Sequence, residues 1–317
     1  MLTIENEILR VRVLPDPGAS IVSFEGKRAD SWLPLMRPTP PEVLAAPKSG
    51  MLASFNLVPW SNRVVDARFE FERTYYKLRP NTPQGFAIHG DVRERAWRVV
   101  ESTPTAITCT LDSNEFSDFN FPFPLHTSIR YQLKANTYTT TLAVENAGDQ
   151  PMPVGFGFHP YFNRGIVNAD DDEAQLELRV QGVYPPLPGM SASPVPQSRR
   201  TLAGDDATGM IDVPPSMDFS TRVQVGKRDI DHCFGGWDGR AEISYPRSGV
   251  KLEFECDAVF GHVIVFTPPG KPFFAVEPVT HANDGFNLYA RAVCGNGIRV
   301  LQPHESISGA FHISVSL

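Results

Sequence analysis

The amino-acid sequence predicts an all-β fold, and three observations support this prediction. Short stretches in which apolar and polar residues alternate, rich in β-branched and aromatic side chains, recur along the chain. The 29 prolines and 24 glycines suit many turns and few long helices. Strand patterns do not alternate with helix patterns along the chain, so a parallel sheet is not expected. We therefore expect residues 1–317 to form one large β domain.

Eight stretches have the composition and alternation of strands, and Asn, Asp, Gly and Pro separate them. They are residues 69–78, 105–111, 126–133, 137–146, 174–180, 250–256, 262–268 and 311–317. One short helix is predicted between residues 41 and 52. The Pro- and Ser-rich segment 184–200 is predicted to be a surface loop, with a linker between domains as the alternative. We prefer the loop because the candidate site residues lie on both sides of it.

Composition and charge exclude several classes of function. The formal charge is −7 without long runs of one sign, whereas a nucleic-acid partner requires a concentrated basic face. No apolar run approaches the ~20 residues of a transmembrane helix, and the first twenty residues lack the pattern of a signal peptide. The cysteines are far apart and form no CxxC motif, which favours reduced thiols in a cytoplasmic protein. They are Cys109, Cys233, Cys256 and Cys294.

Three short segments place a polar side chain beside small residues on one face of a predicted strand. In GFGFHPYFNR, His159 shares a face with two glycines, and GFAIHG repeats the arrangement with His89. In FFAVEP, Glu277 shares a face with Ala275. Glycine in a strand often marks a close approach of a ligand or of another backbone. These two histidines and one glutamate are therefore predicted to line one open cleft.

The order of several motifs resembles that of the aldose 1-epimerases, also called galactose mutarotase-like proteins. The motifs are PWSNRVVDARFEFERTYYKL, GFAIHGDVRERAW, GFGFHPYFNR, IDHCF and AVEPVTHANDGFN. The resemblance spans roughly residues 55 to 317. It implies a large antiparallel β-sandwich, the supersandwich. It also implies interconversion of the α and β anomers of a free monosaccharide, without a metal or an organic cofactor.

The resemblance also implies a role for each site residue. Anomerisation requires a base for the proton of the C1 hydroxyl and an acid for the ring oxygen. Glu277 matches the base of the family and His159 matches its acid. His89 and Arg63 match residues that hold the sugar near the ring oxygen, and Asp231 matches one that binds sugar hydroxyls.

Structural interpretations compete with these roles. Glu305 is a rival carboxylate, but it lies in a polar turn before the final strand, where a glutamate is usually hydrated. His126, His262 and His312 are expected to be structural. Arg63 has the alternative of a salt bridge that ties two strands together.

Three other functions remain open. A zinc site with two histidines and one glutamate is conceivable, but no local spacing such as HExxH supports it. A mutarotase for hexose 6-phosphates would need a basic cluster, for which Arg68, Arg93 and Arg95 are candidates. A non-catalytic sugar-binding protein of the same fold would not need both His159 and Glu277. A monosaccharide is the only partner expected beyond a second copy of the chain, as monomer or homodimer.

Overall fold

The computed structural model describes residues 1–166, 172–187 and 209–317, and this part of the chain consists mainly of strands. Two short α-helices are present in it, α1 (Pro41–Ala45) and α2 (Gly285–Ala290). The strands in chain order are β1 (Leu2–Glu5), β2 (Leu9–Leu14), β3 (Ser20–Arg28), β4 (Ser31–Pro34), β5 (Ser54–Leu57), β6 (Arg63–Val64), β7 (Arg68–Phe71), β8 (Thr74–Lys77), β9 (Ala87–Ile88), β10 (Arg98–Ser102), β11 (Ala106–Asp112), β12 (Leu125–Lys134), β13 (Thr137–Asn146), β14 (Met152–Val154), β15 (Gly157–Asn163), β16 (Gln175–Leu178), β17 (Gly182–Val183), β18 (Val223–Gln224), β19 (Asp231–Gly235), β20 (Arg240–Tyr245), β21 (Val250–Cys256), β22 (His262–Phe266), β23 (Phe273–Val279), β24 (Arg299–Leu301) and β25 (Ser306–Ser316).

Most of these strands belong to two large antiparallel sheets. The first has ten strands in the order β1-β2-β3-β5-β15-β23-β22-β19-β17, with β4 paired to β3. The second has nine, in the order β10-β11-β12-β13-β25-β21-β20-β16-β18. The remaining strands form the pairs β14-β24, β6-β9 and β7-β8. The prediction of an all-β fold is confirmed.

The two large sheets pack face to face through aromatic side chains. The rings of Phe158 and Phe311 have centroids 5.9 Å apart, and those of Phe162 and Phe254 are 5.2 Å apart. All four rings are buried. Truncating such a ring to alanine costs about 3–5 kcal/mol, so these contacts stabilise the sandwich strongly.

The outer faces of the two sheets differ in burial. In the second sheet, β13 alternates between buried and partly exposed residues, as expected for a strand with one wet face. In the first sheet, β15 is buried throughout and β23 is buried except at its first residue. A second apolar cluster on this outer face includes Phe55, Tyr161, Ile264 and Ala275. The middle of the first sheet is therefore covered on both faces, and the candidate site lies on the outer one.

The predicted elements agree with the structure except for the helices and one loop. Every stretch predicted to be a strand contains one, and residues 69–78 form the β7-β8 hairpin. Within 41–52 the structure has the five-residue α1 and a 3₁₀ turn at 49–51 rather than one helix. The α2 helix was not predicted. The predicted loop 184–200 lies outside the described residues after position 187.

The four cysteines are free thiols, as the sequence predicts. Burial raises the pKa of the Cys109 thiol to about 11 and that of Cys233 to about 12, so both are poor nucleophiles. Within the described ranges, no helix has the length and apolar character needed to cross a membrane.

Candidate active site

The two central strands of the first sheet bring His159 and Glu277 together. β15 pairs with β23 so that Tyr161 lies opposite Ala275, and the same register sets His159 opposite Glu277. The Nε2 atom of His159 is 3.2 Å from Oε1 of Glu277. Only 5% of His159 and 2% of Glu277 are exposed. The predicted acid and base are therefore in direct contact, although 118 residues separate them in the chain.

His89 reaches this pair from a loop. Its ring contacts that of His159 edge-on, with centroids 5.1 Å apart, and 8% of the residue is exposed. β9 ends at Ile88, and His89 has a left-handed backbone with φ of 67°. The predicted strand alternation of GFAIHG is therefore wrong at this residue. Such a backbone costs roughly 1–3 kcal/mol in a residue other than glycine, and strain of this kind concentrates at functional sites.

Arg63 and Asp231 form an ion pair at the more exposed side of the site. Nη2 of Arg63 is 3.0 Å from Oδ2 of Asp231, and Nη1 donates a hydrogen bond of 2.9 Å to Oδ1 of Asn62. The two residues begin β6 and β19, so the pair joins elements far apart in the chain. The structural alternative for Arg63, a salt bridge that ties two strands together, is therefore present. The pair also lies close enough to Glu277 to affect its charge.

Burial and neighbouring charges perturb the titration of the central residues. Burial raises the pKa of Glu277 well above its usual value, the charge of Asp231 adds to this, and Arg63 opposes it. Burial lowers the pKa of His159 well below its usual value, and the charges of Arg37 and Arg93 act in the same direction. Both shifts favour the uncharged forms of the two side chains.

Several buried polar atoms around the pair have no hydrogen-bond partner within the described part of the chain. They include Nδ1 of His89, Nδ1 of His159, Oε2 of Glu277 and Oδ1 of Asn283. An unpartnered buried polar group costs about 1–3 kcal/mol. The group offers both donors and acceptors, which is what the hydroxyls of a sugar require.

Sequence reasoning did not identify three residues that surround His159. Phe55 lies opposite His159 in the pairing of β5 with β15, and the two rings stack with centroids 4.6 Å apart. The ring of Tyr161 lies 4.4 Å from that of His159 and 6.4 Å from that of Phe55. The guanidinium of Arg37 covers the Tyr161 ring at 3.7 Å. Spacing within β15 could have indicated Tyr161, but Phe55 and Arg37 come from distant segments without a local signal.

The three arginines considered for phosphate binding have different environments. The guanidinium of Arg93 lies 5.4 Å from the ring centroid of Phe55, beside the site. Arg95 is paired with Asp91 at 2.6 Å and also bonds Asp118, and Arg68 is exposed. Of the three, only Arg93 is beside the site.

The glycines before His159 are explained by protein atoms. A Cβ on Gly155 would lie 1.9 Å from Cδ2 of His281, and one on Gly157 would lie 2.5 Å from the carbonyl oxygen of Pro278. These glycines therefore accommodate neighbouring protein atoms and do not leave open space for a ligand. Gly157 accommodates a neighbouring backbone, the other option that such a glycine allows. The His281 ring accepts a hydrogen bond of 2.8 Å from the backbone N–H of Ser61 and fixes the loop there.

The rival residues have the structural environments that the sequence predicts. Glu305 is exposed in the turn before β25. His262 is buried between backbone carbonyls, His126 is paired with a surface carboxylate, and His312 bonds a threonine hydroxyl. None of them contacts the His159–Glu277 pair in the structure.

The geometry does not favour the zinc alternative. Among the described residues, no three His, Cys, Asp or Glu side chains are grouped as the ligands of a metal ion would be. In addition, Nε2 of His159 is 3.2 Å from a carboxylate oxygen of Glu277. The absence of a metal requirement stays a prediction for experiment.

Comparison with known proteins decides the family. The family model described as aldose 1-epimerase matches residues 1–314. The chain belongs to the aldose 1-epimerase family. It is 25% identical over 290 residues to the uncharacterized protein YphB of Escherichia coli K12, covering 88% of this chain and 90% of that one. It is 26% identical over 235 residues to YihR of the same organism, covering 73% and 70%.

A solved structure confirms the fold of this aldose 1-epimerase family member. A galactose mutarotase-like protein from Clostridium acetobutylicum superposes with a TM-score of 0.80 at 19% identity, covering 99% of this chain and 94% of that one. The large antiparallel β-sandwich that the resemblance implies is therefore correct. At this identity the likeness concerns the fold alone.

Proposed function

We propose that the protein is an aldose 1-epimerase, a mutarotase that interconverts the α and β anomers of a free aldose. The observation that carries this proposal is the contact of 3.2 Å between Nε2 of His159 and Oε1 of Glu277, both buried. Opening a hemiacetal ring requires a positioned acid and a positioned base, and this pair can supply both. Membership in the aldose 1-epimerase family supports the same activity.

The reaction begins with a proton shift within the pair. In the proposed resting form the proton is on Glu277, and its transfer across the contact gives a carboxylate beside an imidazolium. The carboxylate of Glu277 then accepts the proton of O1 while the C1–O5 bond breaks. His159 donates its proton to O5, and an open-chain aldehyde results.

Ring closure on the other face of the aldehyde reverses these transfers. Rotation about the C1–C2 bond presents the opposite face of C1 to O5. His159 takes back the proton of O5, and Glu277 returns a proton to O1. The proton balance of the pair is restored in each turnover, so the proposed reaction consumes no co-reactant. The raised pKa of Glu277 disfavours the initial proton shift but makes the resulting carboxylate a stronger base toward the proton of O1.

The neighbouring residues are proposed to hold the sugar in place. Arg63 and Asp231 form a polar edge whose free donors and acceptors suit sugar hydroxyls. His89, with an unpartnered Nδ1 beside the His159 ring, is proposed to bind near the ring oxygen. Phe55 and Tyr161 provide aromatic surfaces for the apolar face of a pyranose.

A panel of α-anomers of free aldoses, freshly dissolved, tests the proposal. Polarimetry or exchange NMR should show mutarotation faster than the spontaneous rate for at least one of them, and replacement of Glu277 should remove the acceleration. If the protein accelerates none of the aldoses, the proposed function is refuted. The non-catalytic alternative would then require sugar binding without acceleration.

A further inference from the structure

His281 is a buried histidine near the site that the proposed reaction does not use. It follows the strand that carries Glu277, and only 1% of it is exposed. A Cβ on Gly285 would lie 2.5 Å from Nδ1 of this ring, and the ring also excludes a side chain at Gly155. Glycines often mark such a close approach. The ring is therefore enclosed between the start of α2 and the segment that precedes β15.

The hydrogen bonds of the His281 ring define which of its nitrogens carries the proton. Nδ1 lies 2.7 Å from the carbonyl oxygen of Ala282, and because a carbonyl can only accept, Nδ1 is the donor. Nε2 is then the acceptor of the neutral ring, and the backbone N–H of Ser61 donates to it at 2.8 Å. Ser61 is fully buried, so water cannot replace this acceptor without a change of structure.

Ser61 leads directly into the residues that are proposed to hold the sugar. The next residue, Asn62, is buried and has a left-handed backbone with φ of 48°. Its carbonyl oxygen accepts the backbone N–H of His89 at 2.8 Å, and its Oδ1 accepts Nη1 of Arg63 at 2.9 Å. The position of Asn62 therefore determines where both His89 and Arg63 lie.

The loop that contains His281 holds the other end of this segment as well. The backbone N–H of Asp284 donates to the carbonyl oxygen of Arg63 at 2.9 Å, and Oδ1 of Asp284 accepts the N–H of Val65 at 3.0 Å. Residues 281–284 thus bind segment 61–65 at both ends. Because the loop follows β23, these bonds connect the sugar-holding residues to the strand of Glu277.

We propose that His281 is a positioning residue of the active site, which acts through Ser61 and Asn62 to hold Arg63 and His89 in their places against the sugar. This inference rests on the proposed mutarotase function. The decisive group is the unprotonated Nε2, because it is the acceptor for Ser61. The His159–Glu277 pair does not depend on this bond, since the pairing of β15 with β23 sets it.

The first test needs no variant. The ¹⁵N NMR spectrum of the histidine rings should show His281 near neutral pH with a proton on Nδ1 and a hydrogen-bonded, unprotonated Nε2. A ring with its proton on Nε2, or on both nitrogens, could not accept from Ser61 and would overturn the inference.

The second test compares two substitutions that keep different halves of the ring. In His281→Gln the amide oxygen reaches the position of Nε2 and can still accept from Ser61, whereas His281→Asn keeps only a donor near Nδ1. Since a misplacement of ~1 Å can cost about 10²-fold, His281→Asn should raise KM for the best aldose of the panel by roughly tenfold or more. Its kcat should stay within about threefold of the parent, as expected for lost ground-state binding. His281→Gln should have a KM close to that of the parent.

Thr280→Val is the matched control for a lost buried hydrogen bond. The hydroxyl of Thr280 accepts the backbone N–H of Phe156 at 2.9 Å, so this bond joins the same loop to a segment other than 61–65. The variant should lower the melting temperature and leave KM unchanged. A KM for His281→Asn equal to that of the parent, or an equal rise in His281→Gln, would show that the acceptor only stabilises the fold.

Hydrogen–deuterium exchange separates this inference from the proposed function, because it needs no turnover. Peptides that cover residues 59–64 and 86–91 should exchange about five- to tenfold faster in His281→Asn, the effect of one lost hydrogen bond. They should exchange at the rate of the parent in His281→Gln and Thr280→Val. If no aldose is turned over but this pattern is found, His281 still positions Arg63 and His89 while the mutarotase function fails. Unchanged exchange in His281→Asn would overturn the inference, whatever the activity.

Discussion

Replacing Glu277 with glutamine tests the proposed base with the smallest change of shape. Glutamine has almost the same volume as glutamate, and its amide can still contact Nε2 of His159. The substitution removes the ability to accept a proton from O1. Among the described residues, no other carboxylate lies within ion-pair distance of His159 to take its place.

The structure indicates the size of the effect. A positioned proton transfer contributes roughly 10²–10⁴-fold to a rate, and the base and the acid here are coupled through one contact of 3.2 Å. Loss of the base also stops the proton shift that charges His159. We therefore expect Glu277→Gln to lower kcat by at least about 10²-fold, with a much smaller change in sugar binding.

The same substitution should not destabilise the protein. Burial raises the pKa of Glu277 in the folded state, so folding becomes less favourable as the pH rises above the unfolded pKa of about 4.3. A neutral glutamine lacks this penalty. The free energy of unfolding of Glu277→Gln should therefore equal or exceed that of the parent near neutral pH.

The assay is mutarotation of the best aldose of the panel, with the spontaneous rate subtracted. The matched control is Glu305→Gln, because Glu305 is the rival carboxylate and is exposed in a turn. It should stay within a few-fold of the parent. Full activity of Glu277→Gln, or loss of activity in Glu305→Gln instead, would refute the assignment of the base.

Three further predictions concern metal, stability and packing. EDTA-treated protein should keep full activity, and a loss that Zn²⁺ restores would revive the metal alternative. Burial lowers the pKa of His262 and His281 to about 4. The free energy of unfolding should therefore fall by about 3 kcal/mol for each histidine as the pH drops from about 6.5 to about 4. Equal urea unfolding curves at about pH 7 and about pH 4.5 would contradict this prediction. Gly155→Ala should destabilise the protein by about 1–3 kcal/mol because its Cβ would overlap the His281 ring. The control Gly261→Ala should have little effect, because no atom lies within 4 Å of the added Cβ. Similar unfolding free energies for both variants would show that the His281 ring moves at no cost.

Much of the fold was predictable because strand patterns are local. The alternation in residues 126–133 and 137–146 reflects one dry and one wet face, and both segments are long strands of the second sheet. The α2 helix has no comparable signal, because its six residues are too few for a helical period and it begins after Asp284 in a left-handed conformation. The strand pattern also failed to predict the left-handed backbone of His89, because the surrounding loop determines this conformation.

The sequence by itself determined the residue types and the apolar sides of the central strands. Phe158 faces the core between the sheets and His159 faces outward because alternate side chains of a strand point to opposite faces. Only the tertiary structure determined which side chains contact one another on the outer face of the first sheet. The pairing of β5, β15 and β23 sets Phe55, His159 and Glu277 side by side, and packing adds Arg37 from a distant segment. Such contacts depend on the register between strands, which long-range hydrogen bonding and burial determine. No single stretch of the chain contains enough information to predict this register.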